Sequence, residues 1–288
     1  MPDIWEAAAI AAKLLLYIGL LGATGLVMVR IVFRAHVVSL DARLRSFGLV
    51  LAGVALAATT VSFLLRGAAL TGDVSGLVDA EMLGLLWSTS VGDVLTYRLI
   101  GIALLILGLY IPGIGIWVSL AGGILALWSF AQIGHIPELD QPGIRLLLLL
   151  HLLGISFWIG ILAPLRWLAR DPDHVQTAAH LGERFGVIAM GVVLGLLLAG
   201  GLMAWLILGS ISLLFTTVYG MALVSKVAFV ALLLGLAAAN KLRFIPAMQA
   251  GDYTVAKHLV RSVEIETFVI TAVLVATATL TSVLALPM

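Results

Sequence analysis

The stretch that decides the fold runs from Arg145 to Gly160 and reads RLLLLLHLLGISFWIG. Five consecutive leucines lead into His151, and apolar residues continue past the histidine as far as Trp158. A helix needs about 20 apolar residues to cross the hydrocarbon core of a bilayer, and the apolar run around this stretch covers 143–168. The stretch therefore predicts a membrane-spanning helix that carries a titratable imidazole inside it.

The composition of the whole chain agrees with this prediction. Hydrophobic residues make up 62% of the chain, charged residues 11%, and the mean hydropathy is +1.18. Because a soluble domain carries about 25% charged residues, this chain cannot cover itself with a hydrated surface, and we expect a polytopic membrane protein. The absence of cysteine from the sequence excludes disulfides, thiolate metal ligands and a thiol nucleophile.

Eight apolar stretches have approximately the length that a transmembrane helix requires. We therefore predict an all-α fold, a polytopic bundle of eight transmembrane helices that forms one membrane domain over 1–288. Pro112 is assigned to a turn between the third and fourth spans, because a single helix over 96–133 would be too long. The predicted spans are 4–33, 46–66, 96–112, 114–133, 143–168, 184–209, 219–245 and 264–286.

The distribution of charge predicts the orientation of the bundle. Cytoplasmic connections of membrane proteins carry an excess of Lys and Arg, and three connections do so here: 30–45, 166–184 and 241–261. The opposite side is acidic and predicts that both termini face the periplasm. Its acidic residues are Asp3, Glu6, Asp73, Asp79, Glu81, Asp93, Glu138 and Asp140.

Three basic residues fall inside the predicted spans, where ionisable groups are expensive and mark functional sites by default. Counted inward from the outer end of each span, Lys13 lies at about 13 Å, His151 at about 12 Å and Lys226 at about 10 Å. Their similar depth predicts one cavity that opens to the outside. Glu6 lies on the same face as Lys13, two turns higher, and His135 lies at the predicted cavity entrance.

Each of these residues also has a purely structural interpretation. Lys13 and Lys226 are long enough to snorkel toward the interface, and His151 could donate a hydrogen bond to a backbone carbonyl of a neighbouring helix. Trp158 follows His151 by seven residues and projects from the same helix face, where it forms either a cavity wall or ordinary packing.

Several ordered motifs resemble the copper-resistance protein D (CopD) family. These are GHIPELDQPG followed by LLLHLLGISFWIGIL, then YGMALVSKVAFVALLLGLAAANKLRFIP, and then LVRSVEIETFVITAVLVATATLTSVLALP. The resemblance implies an eight-helix protein of the bacterial inner membrane that moves copper between periplasm and cytoplasm. It places Asn240 and either Glu264 or Glu266 at family positions. The functional residues that it implies are His135, His151, Trp158 and Lys226.

Copper accepts imidazole nitrogen and, as Cu(I), thioether sulfur. The ligands that we expect are therefore His151 and His135, joined from the outer side by Met82 or Met221. Met82 lies in GLVDAEMLGLLWS (76–88), a segment too short to span and interpreted as an interfacial helix. The two lysines oppose this reading, because positive charges near the same pocket would repel a cation unless they were neutral or paired.

Two other classes of protein stay open. One is a haem b protein, because the family is distantly similar to HemJ-type protoporphyrinogen oxidases; His151 would then be the axial ligand, with Lys13 or Lys226 near the propionates. The other is a copper-binding scaffold that does not transport the ion.

If the protein handles copper, we expect no enzymatic activity. The expected partners are the lipid bilayer, copper and a periplasmic copper-binding protein, and we expect no nucleic acid.

Overall fold

Backbone groups in a lipid environment must be hydrogen-bonded within their own segment, so long apolar runs form helices. The computed structural model, which describes residues 4–133, 141–210 and 212–282, is 91% helical and has no strand in that part of the chain. The predicted all-α polytopic bundle is confirmed. The eight apolar helices are α1 (Ile4–Val32), α2 (Asp41–Thr71), α3 (Ser90–Tyr110), α4 (Gly115–Trp128), α5 (Ile144–Arg170), α6 (Val175–Leu208), α7 (Val218–Ala239) and α8 (Ala256–Ser282).

Shorter helical segments connect these eight or extend them. Seven of the described helices are long and apolar enough to span a membrane, and α4 with its extension forms a shorter apolar helix, Gly115–Ala131. The short segments are Arg34–Val37, Val38–Leu40, Val74–Leu77, Ala80–Trp87, Ser129–Ala131, Pro172–His174, Leu213–Thr216, the π-helix Asn240–Phe244, Ile245–Gln249 and Tyr253–Val255.

Three helices begin earlier on the predicted cytoplasmic side than the apolar runs that predicted them. Helix α2 begins at Asp41, α6 at Val175 and α8 at Ala256, whereas the apolar runs begin at 46, 184 and 264. Hydropathy marks where a chain enters lipid, but helical hydrogen bonds continue until a cap or a turn interrupts them. The polar first turns of these helices therefore extend beyond the apolar segment.

Helix α1 lies at the centre of the bundle, in contact with α2, α4, α5 and α8. Small residues allow this close packing, as is common between helices in lipid. A Cβ atom at Gly19 would lie only 2.7 Å from the backbone of α2, at Ala55 N and Leu51 O. A Cβ at Gly25 would lie 2.9 Å from the backbone nitrogen of Gly160 on α5. The α1–α5 contact fixes the position of the helix that carries His151.

Helices α6 and α7 are the least enclosed members of the described bundle, with most of their apolar side chains exposed to the surrounding lipid. They approach each other mainly at the predicted cytoplasmic end, through the segment that follows α7. There Lys241 Nζ donates to Gly186 O at 3.1 Å. Along the rest of its length α6 packs mainly against α5.

Candidate functional site

His151 lies seven residues after the start of α5, about 10 Å below the outer end of that helix. Its imidazole faces α6, next to the backbone of Leu196 and beside Gly200. A Cβ atom at Gly200 would lie 3.4 Å from His151 Cε1 and 3.9 Å from Nδ1. The Nδ1 atom is buried and has no hydrogen-bond partner among the residues described. A buried nitrogen without a partner is uncommon in proteins. The imidazole also has a hydrogen-bond interaction with the backbone of Leu196 on α6, as the structural interpretation of this histidine predicts.

Lys226 of α7 is the charged group that acts on His151 through space. Counting residues along the predicted spans gave Lys13, His151 and Lys226 a similar depth. The structure brings two of these three, His151 and Lys226, together. They come from α5 and α7. An ammonium group at this position disfavours a second positive charge nearby.

Lys13 has different neighbours. Its Nζ donates to the backbone oxygen of Thr281 on α8 at 2.6 Å, and the charges that act on it are those of Arg66 and Arg98. We call Lys13, Arg66 and Arg98 the outer basic cluster. Arg98 also donates from Nε to Ser129 Oγ at 2.9 Å. The two arginines lie at the edges of predicted spans, where a basic residue is unremarkable in sequence.

The other residues predicted near the cavity are scattered. Glu6 is partly buried on α1, and His135 lies outside the described residues. Met82 is partly buried in the short helix Ala80–Trp87. Met221, near the start of α7, is 62% exposed. Met221 therefore lies at the surface of the bundle, whereas Met82 is partly enclosed.

Met203 is a thioether that the sequence analysis did not select. It follows Gly200 by three residues, and positions three apart on a helix lie on one face. Met203 is 8% exposed, whereas the adjacent Leu202 is 50% exposed. It therefore belongs to the inward face of α6, about 4.5 Å further out than Gly200. The spacing of three residues between Gly200 and Met203 is visible in the sequence. It identifies Met203 as a candidate only when His151 is known to contact Gly200.

Trp158 takes part in a polar network and does more than form an apolar wall. Its Nε1–H donates to Glu266 Oε2 of α8 at 3.2 Å, and the Asn240 amide Nδ2–H donates to Glu266 Oε1. Glu266 is 3% exposed and Asn240 is 9% exposed. We call Trp158, Asn240 and Glu266 the buried carboxyl network. It joins α5, the π-helix and α8.

Glu264 and Glu266 have different roles, although the sequence left open which of them occupies the family position. Glu264 lies in the more exposed environment and accepts hydrogen bonds from Arg166 Nε at 2.9 Å and Arg170 at 2.7 Å. Successive positions two apart on a helix face nearly opposite directions. Glu264 therefore forms ion pairs near the cytoplasmic end, whereas Glu266 points into the bundle.

The acidic connection between α2 and α3 lies on the predicted outer side. Asp73 caps Val74–Leu77, and Ser75 N donates to its Oδ1 at 2.7 Å; this hydrogen bond lowers the pKa of the Asp73 carboxyl. Asp79 caps the helix of Met82 in the same manner. In the described ranges, no group of three or more His, Cys, Asp or Glu side chains has an arrangement that could hold a metal.

A cavity of about 500 Å³ opens at the opposite end of the bundle, which is predicted to be cytoplasmic, between the start of α2 and the end of α5. Its lining includes Arg43, Trp167, Arg170 and His174, and the Arg43 guanidinium stacks over the Trp167 ring at 4.0 Å. Trp167 is 16 residues beyond His151 on α5, a separation of about 24 Å along the helix. This cavity is therefore distinct from the surroundings of His151.

The histidines of the described chain other than His151 lie near the helix ends that are predicted to be cytoplasmic. They are His36, His174, His180 and His258. A second axial histidine for a haem at the depth of His151 is therefore absent from the part of the chain that the structure describes.

Two family models match the chain. The model for copper resistance protein D matches residues 179–280, and the model for the copper resistance protein D-like N-terminal domain matches residues 1–137. Together they cover α1 to α4 and nearly all of α6 to α8, including Met203, Lys226, Asn240 and Glu266, but not His151 or Trp158 on α5. The comparisons with curated proteins and with solved structures give no match.

Proposed function

Because the chain belongs to the copper resistance protein D family, we propose that this multi-pass membrane protein takes up copper ions from the periplasmic side of a bacterial inner membrane. In this proposal the ion enters the outer half of the bundle and binds at His151. The protein would act in copper uptake or copper tolerance, and the proposal assigns it no catalytic reaction.

The observation that carries the proposal is the buried, unpartnered Nδ1 of His151. Imidazole nitrogen is a ligand for both Cu(I) and Cu(II), and thioether sulfur is a ligand for Cu(I). Met203 lies on the inward face of α6, one turn further out than the position that contacts the imidazole. We propose His151 and Met203 as the inner ligands of the ion.

The residues nearer the surface would serve capture and entry. His135, Met82 and Met221 offer further imidazole and thioether ligands on the outer side, and the acidic connection would attract cations. A periplasmic copper-binding protein is the donor that we propose, because the described chain has no larger cluster of metal ligands with which to capture free copper.

Lys226 would make binding reversible. A site that conducts an ion must bind it strongly enough to admit it and weakly enough to release it. The charge of Lys226 acts on His151 and opposes a bound cation, whereas the imidazole and the thioether attract it. The balance of these effects would set the affinity in a range that allows release.

Copper uptake into proteoliposomes tests this function. Purified wild-type protein should admit copper into vesicles that contain a copper chelator, and His151→Ala should reduce the rate to that of empty vesicles. The matched control is His174→Ala, because His174 lies on the cytoplasmic side and pairs with Asp171. Copper binding without uptake would support a non-transporting scaffold instead. A haem Soret band in the purified protein would support the haem b reading.

A further inference from the structure

The buried carboxyl network lies inside the bundle. Glu266 follows the start of α8 by ten residues and precedes its end by sixteen, so it lies about 15 Å from the helix end at Ala256 and in the first turn of the apolar segment that begins at 264. The carboxyl is 3% exposed and receives two hydrogen bonds, from Trp158 and from Asn240. It is a titratable group in the interior of the bundle that the proposed copper site does not use.

Glu266 forms no ion pair in the described part of the chain. The nearby basic groups are engaged elsewhere: Arg166 and Arg170 bind Glu264, and Lys241 binds the Gly186 carbonyl. Lys226 acts on His151. The ionisable groups on α8 and on the elements packed against it are Glu6, Lys13, Tyr17, Arg30, Arg145, His151, Arg166, Arg170, Tyr219, Lys226, Lys241, Arg243, Asp252, Tyr253, Lys257, His258, Arg261 and Glu264.

Asn240 supplies a second observation. Its Nδ2 donates to Glu266, but its Oδ1 is buried and has no hydrogen-bond partner among the described residues. An amide carries a donor and an acceptor on the same group and exchanges them by a half-turn of the side chain. Asn240 is also the first residue of a π-helix, a wider turn that is frequent at functional sites.

These two observations are complementary. An ionised carboxylate is only an acceptor, and it suits the two N–H donors that face Glu266. A protonated carboxyl adds one O–H donor, for which the Asn240 Oδ1 is an acceptor of the correct kind after the amide has turned. Burial without a counter-ion makes the ionised form costly in lipid, and the two donors offset part of that cost. Both protonation states therefore have a matching arrangement.

We propose that Glu266 is a proton-binding site in the interior of the bundle, and that Asn240 accommodates both of its states by exchanging its amide donor for its amide acceptor. The carboxylate gains one proton to become a carboxylic acid, and no electron transfer is involved. The network joins α5, which carries His151, to the π-helix that extends α7, which carries Lys226. Protonation changes the charge between these helices by one unit. This inference does not depend on copper binding at His151.

Infrared difference spectroscopy of the protein in nanodiscs, recorded during a pH titration without copper, tests the proposal. The wild type should show the C=O band of a protonated carboxyl that grows as the pH falls. Glu266→Gln should lose that band, and Glu264→Gln, the matched control two residues away, should keep it. If the Gln variant does not fold, Glu266→Asp should shift the position of the band.

The amide has its own test. In Asn240→Leu the carboxyl C=O band should move to higher wavenumber, because the acid has lost a hydrogen-bonding partner. A wild-type spectrum without a pH-dependent carboxyl band, or one that survives in Glu266→Gln, would overturn the proton site. A band in Asn240→Leu at the wild-type wavenumber would overturn the part that we assign to the amide.

Discussion

Replacing Glu266 by alanine or by glutamine should have very different effects on stability. Alanine removes both acceptor oxygens and leaves the Trp158 indole N–H and the Asn240 amide N–H buried without a partner. Glutamine has almost the same shape and keeps one oxygen for Trp158. Its own NH₂ group can donate to the Asn240 Oδ1, which has no hydrogen-bond partner in the described structure of the native protein.

The size of the effect follows from these contacts. A buried donor that has lost its partner costs about 1–3 kcal/mol, although hydrogen bonds measured within membrane proteins average nearer 0.6 kcal/mol. Two orphaned donors and the lost side-chain volume should therefore lower the free energy of unfolding of Glu266→Ala by roughly 3 kcal/mol. For Glu266→Gln, which keeps an acceptor for the Trp158 indole and can donate to the Asn240 Oδ1 after that amide turns, we expect a change below about 1 kcal/mol.

Reversible unfolding in mixed micelles of a mild detergent and dodecyl sulfate, followed by tryptophan fluorescence, would measure both values. Trp158→Phe provides an internal check, because it removes one of the two donors to Glu266 and should cost about 1 kcal/mol. If Glu266→Gln were as destabilising as Glu266→Ala, the network would require a charged carboxylate, and our account of the Asn240 amide would be incorrect.

Three further predictions concern the copper site and the packing that supports it. Lys226→Leu should tighten copper binding about tenfold, since a like charge within about 10 Å opposes a cation by roughly 1–2 kcal/mol. An unchanged affinity in a copper competition titration would show that Lys226 does not act on the bound ion. Met203→Leu should weaken Cu(I) binding in the same titration and Met221→Leu should not, so equal losses would refute the choice of Met203. Gly160→Ala should lower the free energy of unfolding by about 1–3 kcal/mol through overpacking against α1. Gly191→Ala should have little effect, because a Cβ at that position meets no atom within 4 Å. Similar unfolding curves for the two variants would contradict the close contact between α1 and α5.

The fold was largely predictable because lipid leaves few structural choices. An apolar run of spanning length must become a helix, so hydropathy alone predicted the all-α bundle. Helix ends were less predictable, since the polar first turns of α6 and α8 are helical without being apolar. The shorter length of α4 with its extension depends on where the chain bends between Tyr110 and Gly115.

The candidate site was only partly predictable. Depth along each helix identified His151 and Lys226, which interact in the structure, but depth contains no information about which way a helix faces. Lys13 was therefore assigned to the predicted cavity from its depth alone, whereas its charged neighbours in the structure are Arg66 and Arg98. The partners of Glu266 are 108 and 26 residues away in sequence, and no local pattern indicates such pairing.

Copper titration of the purified protein tests the central claim most directly. We predict that wild-type protein and His174→Ala each bind about one equivalent of copper with high affinity, and that His151→Ala loses this equivalent while eluting as a folded, monodisperse species. Retention of the full equivalent by His151→Ala, with wild-type affinity, would show that the ion does not bind at His151 and would contradict the proposed site.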